Sequence, residues 1–295
     1  MTQAQKRTTE PSILVFGKSG QVAQELALQM PAGTEARFLD RAAADLSDPA
    51  ACAAQITALR PAVVINAAAY TAVDKAEDDE ALATVVNGAA PGAMARACAA
   101  LGIPFLHVST DYVFDGQGDQ PRRPSDPVAP LNAYGRSKRA GEVAVADSGA
   151  HYAVLRTSWV FSAHGNNFVK TMLRLSETRD QLTVVGDQIG GPTPARAIAA
   201  ALLSMAEQMQ AGRKSRDIYH FAGQPATSWA CFARETFRQA GRPTEVSDIP
   251  TSDYPTPAAR PLNSRLDCAD LETDFAIAAP DWKQGLAEVL EDLTA

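Results

Sequence analysis

A tyrosine and a lysine stand four residues apart in the run Tyr134-Gly-Arg-Ser-Lys138. On a helix, that spacing puts both side chains on one face. A free tyrosine has a pKa of about 10, too high for efficient proton exchange near neutrality. A neighbouring ammonium favours the phenolate and lowers that value. Such a tyrosine can hand its proton to a carbonyl oxygen that is gaining negative charge. A second set of polar groups is Ser109-Thr110-Asp111-Tyr112-Val113-Phe114. A hydroxyl there would hydrogen-bond the same oxygen and fix its position. Adjacent strand residues point to opposite sides, so one of Ser109 and Thr110 serves, not both. Taken alone, Y-x-x-x-K is common and reads as a surface pair. Its weight comes from the elements around it.

Gly17-x-x-Gly20-x-x-Ala23 follows the apolar run Ser12-Ile-Leu-Val-Phe16 and opens a helical pattern. Glycines there let the backbone approach a pyrophosphate, and the helix N-terminus supplies amide donors and a positive dipole. Gln21 and Val22 continue the turn into the helix. Asp40 ends a second strand, 23 residues after Gly17, where an acid takes adenosine ribose hydroxyls. Arg41 follows and suits a 2'-phosphate, so the pair is open between NAD and NADP. Asp45-Leu46 lies where the chain passes an adenine. Asn66-Ala-Ala-Ala69-Tyr70 closes a third strand, and its small residues, Ala68 and Ala69 among them, would let a nicotinamide nucleotide lie against the backbone. A cationic nicotinamide would add to the pull of Lys138 on the phenol, and Lys138 has donors to spare for the nicotinamide ribose.

The surrounding elements fit this assignment. Asp48-Pro49 opens a helix to about Leu59, with Asp as N-cap and Pro at the first position. Strands are expected at 12–16, 37–40, 62–66, 104–109 and 152–156. Helices are expected at 133–146, 166–176 and 195–210. The Ala-rich stretch 76–101 reads as mostly helical, broken or kinked by Gly88, Pro91 and Gly92. Strand–helix alternation implies right-handed crossovers and a doubly wound parallel sheet of the Rossmann type. Ligands on such sheets sit at the carboxyl ends of the strands. Further on, 181–185 and 217–221 read as strands, 190–194 as a turn, 241–265 as irregular, and Pro280-Asp-Trp as the start of a last helix. The expected organisation is a loose tail at 1–11, a dinucleotide-binding domain at 12–162 with 187–222 returning to it, and a smaller α/β substrate lobe from 163–186 and 223–295.

Composition narrows the function classes. The chain has 295 residues, 46% hydrophobic and 21% charged, which excludes a mainly disordered chain. Its formal net charge of -7 argues against nucleic-acid binding. No apolar run is long enough to span a membrane. The start, 1–11, lacks the apolar centre of a signal peptide. The four cysteines, Cys52, Cys98, Cys231 and Cys268, form no C-x-x-C pair and read as reduced thiols of a cytoplasmic protein.

Together these residues resemble the extended short-chain dehydrogenase/reductase superfamily and, within it, the dTDP-4-dehydrorhamnose reductases. The likeness rests on segments 16–22, 66–77, 109–116, 130–138, 155–161, 165–168, 187–193 and 260–266, and covers nearly all the chain after the tail. It implies reduction of the C4 keto group of dTDP-4-dehydro-β-L-rhamnose by NADPH or NADH. By the same likeness, Tyr134 is the proton donor, Lys138 its cofactor-binding partner, and Thr110 the third member of the triad in preference to Ser109. Gly20, Gln21, Val22, Asp40, Asp45, Leu46, Ala68, Ala69 and Tyr70 match dinucleotide-contacting positions. Asp111 and Trp159 match substrate contacts, and Arg260, Asn263, Ser264 and Arg265 belong to the nucleotide-sugar pocket. Two arginines there suit a diphosphate. Ala23 replaces the usual third glycine. Some relatives form a Mg2+-linked dimer through acidic side chains. Glu25 fits that pattern, but Arg196 stands at a second acidic position and argues against the metal. The state expected is monomer or homodimer. Two other readings stay open: a reductase of another nucleotide-linked 4-keto sugar, and a non-catalytic nucleotide-binding regulatory subunit, since the methionine adenosyltransferase beta subunit is similar to these reductases.

Overall fold

A computed structural model describes residues 12–294; the expected tail at 1–11 lies outside the described residues. The chain runs β1 (Ile13–Phe16), α1 (Gln21–Leu28), β2 (Ala36–Leu39), α2 (Pro49–Leu59) and β3 (Val63–Asn66). It continues through α3 (Glu80–Thr84), α4 (Ala90–Leu101), β4 (Pro104–Thr110), α5 (Ala133–Ala146) and β5 (His151–Thr157). Then come β6 (Val160–Phe161), α6 (Phe168–Ser176), β7 (Gln181–Val185), β8 (Ile189–Gly190), β9 (Thr193–Pro194), α7 (Ala195–Gln210) and β10 (Arg216–His220). Last are β11 (Thr227–Ser228), α8 (Trp229–Gln239), β12 (Glu245–Ile249), β13 (Asn263–Ser264), α9 (Ala269–Phe275) and α10 (Trp282–Thr294).

Six strands form one parallel sheet in the order β10-β5-β4-β3-β1-β2. The order reverses between β1 and β3, so a crevice opens above their carboxyl ends, which is where such sheets bind ligands. Strand residues alternate between two apolar layers. Ile13, Val15, Val63 and Ile65 face α1 and α7. Leu14, Phe16 and Val64 face α2 and α4. Helix α7 packs beside α1, and β10 adds the sheet's outer strand.

The structure differs from expectation in four places, three of them in the second half. The 190–194 turn holds two short strands, β8 and β9. The irregular 241–265 stretch contains β12, paired parallel to β7, and β13, paired to β8. Residues 269–277, expected in the substrate lobe, pack on the main sheet's core through Leu271, Phe275 and Ile277. The Ala-rich 76–101 region does not simply break. It passes through a π-helical turn, Val85–Ala89, and goes on as α4, with Pro91 directly after that turn.

That π turn meets α5. Asn87, buried within it, donates to Ser137 Oγ at 2.9 Å on α5. It also grips Tyr70, accepting its N–H at 2.8 Å and donating to its carbonyl at 3.0 Å. The two backbones come so close that a Cβ on Gly141 would strike the Asn87 carbonyl. Ala in a helix is ordinarily about 1 kcal/mol better than Gly. Here Gly141→Ala is expected to destabilise the fold by roughly 1–3 kcal/mol, because the crowding outweighs propensity; urea unfolding reads the sign.

Candidate active site

Helix α5 delivers Tyr134 and Lys138 to the end of β4. Its N-terminus is capped by Asn132, whose Oδ1 accepts the Gly135 N–H at 2.8 Å, and Glu77 Oε1 accepts the Ala133 N–H at 2.8 Å. A Cβ on Gly135 would strike the Tyr112 carbonyl. Glycine at that point lets the helix press on the residues that follow β4. Tyr112 meets Tyr134 edge to face, with ring centroids 5.6 Å apart. Thr110 lies near Tyr134; its hydroxyl donates to Asp111 Oδ1 at 3.0 Å and accepts the Tyr112 N–H at 3.2 Å. Its neighbour Ser109 points the other way and donates to Glu142 Oε1 at 2.7 Å.

Burial governs the charges. It pushes the Tyr134 phenol up to about 12; Thr110 pulls against this and the Asp111 charge adds to it. The sequence reading expected the opposite direction, from Lys138. The same burial drives Lys138 down to about 8, against the pull of Glu142. Lys138 donates to the Val108 carbonyl at 2.6 Å. The phenol is therefore held in its O–H form, ready to donate.

A cleft of about 530 Å³ opens beside these groups. Gly20, Gln21 and Val22 line one wall, and Ala68 and Ala69 another. Thr110, Asp111, Tyr134, Lys138 and Trp159 complete the lining named from sequence. Gly17 sits behind it at φ +110, against the Ala67–Ala68 backbone. Buried polar atoms without a hydrogen-bond partner include Thr157 Oγ1 in this lining and Asp111 Oδ2. The free N-terminal turn of α1 and these atoms fit a polar, phosphate-bearing ligand. Trp159 takes a left-handed backbone, φ 48. Its ring stacks on Trp229 at 3.6 Å and covers Gly190. Sequence reasoning missed Trp229 and Asn87, which lie in no quoted motif, and gave no role to Tyr112, which lies inside the 109–114 run.

Other named residues lie outside the lining of this cleft. Asp40 faces Lys18 at 3.8 Å, and Arg41 binds Asp45 at 3.1 Å. Leu46 is packed in the core. Tyr70 gives its hydroxyl to Asp79 at 3.0 Å. Arg260 lines a neighbouring cavity of about 410 Å³ together with Arg179, which the sequence reading did not name. Asn263 is buried and accepts from the Arg265 side chain at 3.0 Å.

With this geometry, the comparisons decide the family. Residues 11–295 match the family model described as RmlD substrate binding domain. A dTDP-4-dehydrorhamnose reductase of Sinorhizobium fredii is 44% identical over 92% of this chain and 94% of its own length. The Escherichia coli K12 enzyme of the same name is 40% identical over 96% of this chain and 98% of its own length. The chain belongs to the dTDP-4-dehydrorhamnose reductase family. A family structure from Clostridium acetobutylicum superposes with a TM-score of 0.90 at 35% identity, covering 96% of this chain and 99% of that one. One from Bacillus anthracis, in complex with NADP, gives 0.89 at 31%, with the same coverage.

Within this family member, the region around Glu25 does not fit a divalent ion. Glu25 is buried against Arg196 at 3.6 Å and His164 at 3.3 Å. Arg196 also reaches Glu288 at 3.5 Å and Asp292 at 2.7 Å. The guanidinium already supplies the positive charge these carboxylates require. Among the described residues there is no group of side chains that could hold a metal ion.

Asp111 carries the other notable charge. Burial pushes its carboxyl up to about 6, while Ser264, Thr110 and backbone N–H groups pull it back. Ser264 is close enough to favour the carboxylate, yet its Oγ and Asp111 Oδ2 complete no hydrogen bond. A folded value above the ordinary one means that folding takes up a proton. Asp111's own contribution is therefore greatest below the ordinary carboxylate value and is lost as pH rises towards about 6. Asp111→Asn should flatten that slope and gain roughly 2 kcal/mol at neutral pH; urea unfolding across this range measures it.

Proposed function

We propose that this protein uses NADPH or NADH to reduce the C4 keto group of dTDP-4-dehydro-β-L-rhamnose to dTDP-β-L-rhamnose, with Tyr134 as the proton donor. The observation that carries this reading is the half-buried Tyr134 side chain, beside Thr110 and one helical turn from Lys138, in the lining of the glycine-edged cleft. The dinucleotide, when bound, supplies the hydride.

The protein's part is to hold, orient and protonate. The Gly20–Val22 turn offers backbone amides and the positive end of α1 to the pyrophosphate. Ala68 and Ala69 present small side chains to the nicotinamide half, and Lys138 offers donors to its ribose. Gln21 also ties α1 to the second half of the chain, accepting from Ser162 at 2.8 Å and Asn167 at 3.0 Å. Asp40 faces the adenosine ribose. Arg41, exposed and joined only to Asp45 in a surface pair, is free to swing to a 2'-phosphate, since such pairs contribute little. Thr110 and Tyr134 converge on the keto oxygen. A phenol held near 12 keeps its proton until oxyanion character develops. Asp111 and Trp159 contact the sugar, and Arg260 with Arg179 faces the diphosphate. In this reading, 12–162 and 187–222 form the dinucleotide side, joined by 269–277, and 163–186 with the rest of 223–295 forms the sugar side.

No helix among the described residues is long and apolar enough to cross a membrane, and the four cysteines are unpaired. The unpaired thiols support a cytoplasmic setting.

Tyr134→Phe is expected to cut turnover about 100- to 10,000-fold and keep dinucleotide binding. NADPH oxidation with enzymatically made dTDP-4-keto sugar measures the first, and fluorescence titration the second; near-wild-type turnover would overturn the assignment. Arg41→Ala should raise the KM for NADPH about five- to tenfold and leave that for NADH unchanged, through loss of one charge-assisted contact. Steady-state rates with both dinucleotides provide the check.

A further inference from the structure

Behind Lys138, on β4, lies a histidine that the proposed reaction does not use. His107 is 1% exposed and stacks against Phe105. Its Nδ1 is 3.1 Å from Asn66 Nδ2, and its Nε2 is 3.4 Å from Lys138 Nζ. Asn66 is buried too, at the end of β3. Its Oδ1 accepts the Ala68 backbone N–H at 3.1 Å.

The proton on the imidazole follows from these contacts. A backbone N–H can only donate, so the Asn66 amide oxygen must face Ala68. The Asn66 amide nitrogen then faces His107 and donates to Nδ1. A neutral imidazole that accepts at Nδ1 carries its hydrogen on Nε2. Burial holds His107 well below the usual histidine range, so it is neutral. Its N–H therefore points at the lysine nitrogen. An ammonium offers only hydrogens to that N–H, and the two donors oppose each other. A free amine offers a lone pair and completes the contact, while still donating to the Val108 carbonyl.

We propose that His107 is a positioning residue which, locked as its Nε2–H tautomer by Asn66, donates to the free-amine form of Lys138 and disfavours its ammonium. The other charged or titratable groups around Lys138 do not supply this effect. Tyr134 lies one turn before it on α5 and is neutral. Glu142 lies one turn after and favours the ammonium, but its carboxylate is taken up by Arg156, Arg139 and Ser109. The chain of contacts starts at Ala68, in the wall of the dinucleotide cleft. It links that wall to the charge on the lysine. The consequence for turnover rests on the role of Lys138 proposed above; the tautomer and the titration do not.

Both are measured on the free protein, so their failure is distinct from loss of reductase activity. Long-range nitrogen–proton spectra of the histidine-labelled native chain, which has four histidines, give the tautomer, and His107→Asn assigns the signal. The expected result is a neutral Nε2–H imidazole that does not titrate near neutrality. An Nδ1–H tautomer, or an imidazolium forming near the ordinary histidine value, overturns the proposal. Carbon-labelled lysine spectra follow Lys138, expected to titrate at about 8. In His107→Asn, the amide oxygen replaces Nδ1 and nothing replaces Nε2–H. The Lys138 midpoint should then rise by about one pH unit. An unchanged midpoint in the folded variant overturns the proposal. If the variant does not fold, the native spectra assign His107 by elimination against the other histidines, and the tautomer decides alone.

Discussion

One buried ion pair sets the position of everything in the cleft. Glu142 on α5 takes two hydrogen bonds from Arg156 on β5, at 2.7 Å each, and a third from Ser109 on β4 at 2.7 Å. Burial alone would push this carboxyl up, but Arg156, Ser109 and Arg139 outweigh it and hold it below the usual range. A bidentate guanidinium contact fixes direction as well as distance. Tyr134, Lys138 and Glu142 follow one another at intervals of one turn along the buried face of α5. Clamping Glu142 to the sheet therefore fixes the rotation of the helix about its own axis. Ser109 completes the clamp and so turns Thr110 to the opposite side of β4, towards the phenol. Net stability is not the best reason for such a pair, since a buried ion pair roughly breaks even against apolar packing. Its effect here is on register.

The same dryness that makes the clamp strong acts in opposite senses on the two groups of the Y-x-x-x-K face. It favours the neutral form of each, phenol for Tyr134 and amine for Lys138. The sequence reading weighed only the attraction between a cation and a phenolate. Depth of burial is a property of the packed fold, set by Tyr112, Asp111 and the helix contact at Gly135, and no local pattern reveals it.

Much of the fold was legible. Helices α5 and α7 and strand β7 fall at the boundaries expected from their periodicity, and the Asp48 N-cap accepts the Ala51 N–H as its residue type implies. The failures have physical causes. Strands β8 and β9 have two residues each, too few for any period to show. Strand β12, Glu-Val-Ser-Asp-Ile, is polar and half exposed at the margin of a small sheet. In the site, glycine turns and hydroxyls announced themselves by type and spacing. Arg179 and Trp229 did not, because they reach their cavities from elements that carry no chemistry of their own.

The interleaving of the chain bears on how the protein is made. The apolar layer formed by Ile13, Val15, Val63 and Ile65 is covered by α7, and β5 gains its outer neighbour only with β10. During synthesis, the first five strands emerge well before either cover does. A nascent chain that stops near residue 162 would expose an apolar sheet face and an unpaired strand edge, the features that recruit chaperones or promote aggregation. Helix α9 seals the same layer later still, through Leu271 and Phe275. Completion of the main sheet and its cover on the ribosome thus waits for almost the whole polypeptide, and a gene truncated in its last quarter loses part of that core.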